Sequence, residues 1–385
     1  KQDNNMDRRK FLVSAGLGAG LLATASPVSL SLPGMATKKN AGKSGKIKLS
    51  FEPYELKLRH AFNLAKMSRT TTPDVQVKLE YEGLVGYGEA SMPPYLGESV
   101  DSVCKFLNQV DMSQFNDPFR MDAILDYVGE IAPNNRAAKA SIDIALHDLV
   151  GKMLGQPWYK IWGLNPDKTP NTTYTISYQS DPEEMQHEFD ETADFKVIKI
   201  KMGVGHDKEL VERFRQITDK PFCVDANQGW KTKEEALAMC EWLADKNCQF
   251  VEQPMEKEKP LEDVAWLRER SPLPILADEA FQRLPDILKF HGVYDGINIK
   301  LMKSTGLREA RQMVVLARAL GMKVMVGCMT ETSCAVSAAA QLSPQVDWCD
   351  LDGNLLISND RFEGMKVVDG KVTLPDRPGI GVKLL

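Results

Sequence analysis

The sequence has no Cys-x-x-Cys pair, and its seven cysteines, Cys104, Cys223, Cys240, Cys248, Cys328, Cys334 and Cys349, are odd in number. Neither a disulfide framework nor a thiolate zinc site is indicated. Basic charge is not in excess: 48 Lys and Arg face 53 Asp and Glu, for a net charge of -5. That argues against the basic patch by which nucleic acid or an anionic membrane surface is bound. No apolar run is long enough for a mature membrane-spanning helix. What the chain does have is core material. Its 385 residues, 43% hydrophobic and 26% charged, suffice for one large domain and a smaller one.

The N-terminus reads as an export signal over residues 1–25. Asp7-Arg8-Arg9-Lys10-Phe11-Leu12 precedes a short apolar stretch with three glycines, and Ala23-Thr24-Ala25 offers small residues for cleavage. The paired arginines resemble a twin-arginine signal, which implies a periplasmic mature protein beginning near Ser26. Cysteines within apolar strand and helix patterns are in mild conflict with an oxidising compartment. Residues 26–45 read as a flexible linker.

Two grammars follow. Residues 46–170 predict an α+β capping domain: strands over Ile47–Arg59 and Pro73–Glu82, turns at Glu82-Gly83, Gly86 and Gly88, then helices over 98–107, 118–131 and 135–154. Residues 171–361 predict a (β/α)8-type barrel. Eight short apolar runs alternate with amphipathic helices, at the spacing of one strand-helix unit. The last helix is weak. Residues 362–385 are expected to return to the capping domain.

The polar residues that end these runs carry the chemistry, because barrel sites form at the C-terminal ends of strands. Asp225, Glu252 and Asp278 end three successive strands, so their carboxylates can converge on one cation. An all-oxygen set without His or Cys favours Mg²⁺ over zinc. Lys199 and Lys201 lie two apart on one strand and point the same way. Their like charge is expected to lower proton affinity, so that a lysine can act as a base. Lys300 ends the strand four positions further round and faces Lys201 across the mouth. Lys303, three residues on, reads as a surface lysine in a loop. His147 reads as helix packing, and Gly83 to Gly88 as a hairpin rather than a phosphate cradle.

Lys199-Ile200-Lys201, the three acids and Asn298-Ile299-Lys300-Leu301-Met302-Lys303 resemble the enolase superfamily, in its muconate-lactonizing-enzyme subgroup. The segment Ala140 to Leu149 is similar to that group's first signature, and Leu374 to Val382 to its C-terminal return. The resemblance spans residues 46 to 385. A lysine base with Mg²⁺ holding an enediolate is the established chemistry of the superfamily. Asp350-Leu351-Asp352 resembles the Asp-x-Asp of dipeptide epimerases, whose acids hold the α-ammonium of the substrate. Phe62 to Thr70 resembles the mobile capping-domain loop of Ala-Glu epimerases, with Arg69, then Lys66, as the candidate cation for a glutamate side chain. Thr175 on the first barrel strand is a further candidate substrate contact. Tyr95-Leu96-Gly97-Glu98 is expected to form a second loop over the mouth. The resemblance implies a Mg²⁺-dependent isomerase acting on a dipeptide that ends in glutamate, L-Ala-D/L-Glu, released from murein. A homo-oligomer is compatible with this. The alternatives are an N-acylamino-acid racemase, o-succinylbenzoate synthase or cycloisomerase of the same subgroup, or an exported murein-peptide binding protein without turnover.

Overall fold

The computed structural model describes residues 45–385 except 65–66, 93–95 and 204. The predicted export signal lies outside the described residues. The chain opens with three antiparallel strands, β1 (Lys48–Leu64), β2 (Met67–Tyr81) and β3 (Leu84–Ser91). The helices α1 (Val100–Leu107), α2 (Met121–Glu130), α3 (Arg136–Leu154) and α4 (Trp158–Ile161) follow. The turn between β2 and β3 is Glu82-Gly83, both at positive φ, the geometry of a tight hairpin. The hairpin reading of Gly83 to Gly88 is correct, but Gly86 and Gly88 are strand residues rather than turns. A Cβ on either would strike a carbonyl oxygen of α3, at Ala145 and Ser141 respectively. Close packing of strand on helix, which no local pattern reveals, explains these two glycines.

The barrel strands are β4 (Thr173–Ile176), β5 (Val197–Lys201), β6 (Phe222–Asp225), β7 (Cys248–Glu252), β8 (Ile275–Ala277), β9 (Gly296–Lys300), β10 (Lys323–Gly327) and β11 (Trp348–Asp350). They hydrogen-bond in that order as one parallel sheet. Between them run α5 (Pro182–Glu191), α6 (Asp207–Ile217), α7 (Lys233–Ala244), α8 (Leu261–Arg270), α9 (Asp286–Phe290), α10 (Leu301–Ser304), α11 (Leu307–Ala319) and α12 (Ser333–Ala340). The sheet closes through a single parallel bridge, Thr172 to Cys349. Two hydroxyls reinforce the seam: Thr172 accepts from the Leu351 amide at 2.8 Å, and Thr173 donates to Asp350 at 2.6 Å. Among the described residues no helix follows β11, so the eighth unit has a strand only. The chain continues through short strands β12 (Phe362–Glu363), β13 (Lys366–Val368), β14 (Lys371–Thr373) and β15 (Lys383–Leu384).

This final segment packs against α3. The Asp148 carboxylate accepts from Ile380 at 3.1 Å and from Tyr87 of β3 at 2.9 Å, joining sheet, helix and C-terminal segment. His147 is a packing residue, as expected: it is buried and its Nδ1 donates to the Asp143 carbonyl at 2.8 Å. Inside the barrel, Cys223, Phe250, Leu276 and Met325 form a separate apolar layer. Removing the Phe, Leu and Met side chains from water is worth roughly 1.5–3 kcal/mol each. Cys223 and Phe250 stand two residues before Asp225 and Glu252 on the same strands, so this layer is the floor on which the polar site rests. All seven cysteines are free thiols. No helix among the described residues is long and apolar enough to cross a membrane.

Candidate active site

Strand register sets the site. Lys201 pairs with Asp225, and Asp225 with Glu252, across β5, β6 and β7. On the far side, Lys300 pairs with Gly327, and Gly327 with Asp350, across β9, β10 and β11. The two registers bring acids and bases from opposite arcs to the C-terminal end of the barrel.

The carboxylate oxygens of Asp225, Glu252 and Asp278 lie within 4.8 Å of one another, and all three residues are buried. Lys201 Nζ sits 2.7 Å from Asp225 and Lys300 Nζ 2.7 Å from Asp278, so the two ammoniums flank the triad. Lys199 lies beneath, with Nζ 2.6 Å from Asp350, 2.7 Å from Glu252 and 3.3 Å from Asp225. Glu252 also accepts from the Asn298 amide at 2.6 Å. Lys201 and Lys300 retain 7% and 5% exposure against 1% for Lys199, so the outer pair is the one a ligand can reach.

Electrostatics separate these groups. Burial alone would raise Asp225, but Lys201 and Lys199 outweigh it and hold the carboxyl below its ordinary range. Burial likewise opposes Lys300 and Lys303 at Asp278, and the lysines win by more. Burial and then repulsion from Asp225 push Glu252 up to about 8. Lys199 behaves opposite to expectation. Burial favours its neutral form, yet Asp350, Glu252 and Asp225 together raise it well above the ordinary lysine value. Three carboxylates against one ammonium therefore favour the charged form of Lys199.

The expectation for Lys303 is also overturned. It is buried, with Nζ on the Asp278 carboxylate, on the Asp278 carbonyl at 2.8 Å and on the Asn298 carbonyl at 3.0 Å. The reason is local: α10 begins directly after Lys300, and its single turn swings Lys303 back under Asp278 instead of out into a loop.

Asp350, Asp352, Thr175 and Arg69 all line the same cavity as the lysines. Asp350 is committed to Lys199 and Thr173. Asp352 accepts from the Thr175 amide at 2.6 Å, and burial followed by repulsion from Asp350 pushes it up to about 6. Arg69 donates to the Thr330 hydroxyl at 3.2 Å. Its backbone lies on β2, which pairs with β1 up to Leu64 and Met67, past a register shift between Lys57 and Phe62. Lys66 and Tyr95 lie outside the described residues. Glu98 is not among the residues lining the cavity; its carboxylate accepts from the first amides of α3, at 3.0 Å from Ala137. Cys328, which the sequence offers only as one of seven cysteines, lines the cavity with Met329 and Thr330 just past β10, two residues that carry no signal of their own. The only sign there was Glu331 in an otherwise uncharged stretch.

The donor set suits a divalent cation. Three hard oxygen donors converge without nitrogen or sulfur, which fits Mg²⁺. The upward push on Glu252 comes partly from like charge, which a cation would relieve.

Comparison with known proteins agrees. Residues 183–385 match the family described as enolase C-terminal domain-like, and residues 47–163 the mandelate racemase / muconate lactonizing enzyme N-terminal domain. The chain belongs to the enolase superfamily, in its mandelate racemase / muconate lactonizing branch, and is an isomerase. It is 57% identical to the L-Ala-D/L-Glu epimerase of Bacteroides thetaiotaomicron, over 98% of this chain and 99% of that one. It is 35% identical to the L-Ala-D/L-amino acid epimerase of a Maribacter species, over 88% of this chain and 99% of the relative. Among solved structures, the substrate-liganded L-Ala-D/L-Glu epimerase of Bacillus subtilis superposes with a TM-score of 0.81 at 29% identity, covering 88% of this chain and 98% of that one. The dipeptide epimerase of Cytophaga hutchinsonii, complexed with Mg and D-Ala-L-Val, gives 0.81 at 26%, covering 89% and 96%.

Proposed function

We propose that this protein epimerises the C-terminal residue of a dipeptide by two-base 1,1-proton transfer, with Mg²⁺ held by Asp225, Glu252 and Asp278, and that its substrate is L-Ala-D/L-Glu. The observation that carries the reading is one carboxylate triad flanked by Lys201 and Lys300 from strands four apart in the barrel. Inverting a carbon centre needs one base on each face, and a single lysine can serve only one. One lysine Nζ removes the α-proton, and the other returns a proton to the opposite face. Lys199, charged against the triad, stabilises negative charge as it develops on the substrate carboxylate. A bound divalent cation supplies Lewis-acid stabilisation of that same charge.

Asp352 receives the α-ammonium of the first residue, with Asp350 behind it anchoring Lys199. Arg69 receives the glutamate side chain, with Lys66 as a second cation, and Thr175 borders the same space. The name of the Bacteroides relative supports the glutamate preference. A dipeptide of this kind is released from murein, which fits an envelope location reached by the twin-arginine-type signal. The alignment with the Bacteroides relative covers 98% of the chain and therefore extends into residues 1–45.

Incubation of the Mg²⁺-loaded protein with a dipeptide library in D₂O, followed by mass spectrometry, tests the reading. Deuterium should enter L-Ala-L-Glu and L-Ala-D-Glu fastest. No exchange into any dipeptide, or faster exchange into N-acylated amino acids, would overturn it. N-terminal sequencing of the protein from a cell fractionation should find a start near residue 26 outside the cytoplasm. An intact N-terminus on cytosolic protein would refute export.

A further inference from the structure

A second group of metal-ligating side chains stands outside the barrel mouth. His60 comes from β1, while His187 and Glu191 lie one turn apart on α5. Their ligand atoms all fall within 4.8 Å of one another. His60 Nε2 is 3.1 Å from Glu191 Oε2, and His187 Nδ1 is 3.7 Å from Glu191 Oε1. The Tyr174 hydroxyl donates to Glu191 at 2.6 Å and fixes the carboxylate from behind, as outer-shell partners of metal ligands do. The imidazoles are 5.2 Å apart between centroids, at 56° to one another. They are tilted rather than stacked.

We propose that His60, His187 and Glu191 bind a first-row transition ion of the Zn²⁺ class, at a site distinct from the Mg²⁺ triad. The chemistry divides the two sites. Two imidazole nitrogens and one carboxylate suit Zn²⁺, Co²⁺ or Cu²⁺, whereas the three oxygens of Asp225, Glu252 and Asp278 suit Mg²⁺. A tetrahedral ion with bonds of about 2.0–2.1 Å holds its ligand atoms roughly 3.3 Å apart. The observed spacings, 3.1 Å and 3.7 Å to the Glu191 carboxylate and none above 4.8 Å, lie around that value. His187 keeps 64% side-chain exposure, and His60 and Glu191 27% each, so the ion has an entry path and water completes its coordination.

The placement gives the ion a consequence. His60 stands at the stem of the β1–β2 hairpin whose returning strand carries Arg69 to the substrate cavity. The neighbouring Ala61 carbonyl accepts from Gln179 of the barrel at 3.2 Å. An ion shared between His60 and α5 therefore fastens the hairpin to the barrel rim beside the active site.

The test is Zn²⁺ binding to the full Mg²⁺-saturated protein by equilibrium dialysis, with Co²⁺ absorption as a coordination probe. Wild type should bind one Zn²⁺ more than His187→Ala, or bind it at least tenfold tighter, and only wild type should show the nitrogen-ligated Co²⁺ spectrum. His187 is largely exposed, so this variant folds and turns over dipeptide normally in the absence of zinc. Zn²⁺ should also slow hydrogen exchange of residues 60–70 in wild type and not in the variant. Equal Zn²⁺ stoichiometry and affinity in the two proteins would overturn the site. Zn²⁺ binding that leaves exchange of the hairpin unchanged would overturn the fastening role.

Discussion

Two clusters of buried acids lie within one molecule, and only one of them holds carboxyls in the ionised form. At the barrel mouth, Asp225 and Asp278 stand among lysines and are held below the ordinary carboxylate range. At the seam between the capping sheet and the loop after β10, Asp74, Glu89 and Glu331 are equally buried, and no ion pair among the described residues joins them to a base. Burial, then Glu89, pushes Asp74 well up; burial pushes Glu89 up to about 7; and burial, then Glu89, pushes Glu331 up to about 8. Glu89 spends its oxygens on the first turn of α12, accepting from Thr332 at 2.7 Å and Ala335 at 3.1 Å. Burial alone does not make a carboxyl chemically active. The counter-charges decide. Asp225 and Asp278, each paired with a lysine, stay ionised, and Glu252 beside them is raised to about 8 by burial and by Asp225, a like-charge strain a cation would relieve. The seam acids, with no such pairs, become neutral hydrogen-bonding structure.

The largest break in this comparison comes at the triad. Asp225→Asn or Glu252→Gln should lower turnover by about a thousandfold or more while the circular dichroism spectrum stays native. Chelation should do the same to wild type and Mg²⁺ should reverse it. Full turnover in metal-free protein would contradict the assignment. Next is Lys303, which supports Asp278 from below. Lys303→Met should weaken Mg²⁺ activation by about 10–100-fold, read from the Mg²⁺ dependence of the rate. An unchanged Mg²⁺ requirement would return Lys303 to a purely packing role.

The substrate end gives a smaller effect. Asp352→Asn should raise KM for free dipeptides by about tenfold with a lesser change in kcat, as expected for an ammonium contact of about 1.5 kcal/mol. A KM left unchanged would remove Asp352 from the ammonium site. The seam sharpens the contrast through pH. Glu331 and Glu89 have folded values of about 8 and about 7 against an ordinary 4.5, so the folded state binds more protons between these limits. Their contribution is fully present below about 4.5 and is lost as pH rises through 7 to 8, on the order of a few kcal/mol. Stability from urea melts should therefore fall from pH 5 to pH 8, and Glu331→Gln should flatten the fall. The same slope in the variant would show that Glu331 does not titrate there.

The mouth was legible in the sequence where the seam was not, and the reason is physical. A charged residue at the end of an apolar run is conspicuous, so Lys201, Asp225, Glu252, Asp278 and Lys300 could be read from strand spacing alone. Lys303 was not, because its meaning depends on one helical turn that folds it under a partner 25 residues back in sequence. Gly86 and Gly88 signal closeness to α3, a tertiary fact that the strand pattern cannot carry. Asp74, Glu89 and Glu331 come from three separate segments and look like ordinary polar positions until the capping sheet meets the barrel. The proton affinity of Lys199 is hidden from local sequence for the same reason: its lysine neighbour is local, and its three carboxylate partners are not.

The most direct test of the two-base account is deuterium exchange by Lys201→Ala and Lys300→Ala, each with L-Ala-L-Glu and L-Ala-D-Glu in D₂O. Neither variant should epimerise either isomer, since each inversion needs both proton transfers. Any exchange that survives should be confined to one isomer, and to the opposite isomer in the other variant. Undiminished epimerisation by either variant would contradict the account and move that lysine from the proton-transfer path to electrostatic support.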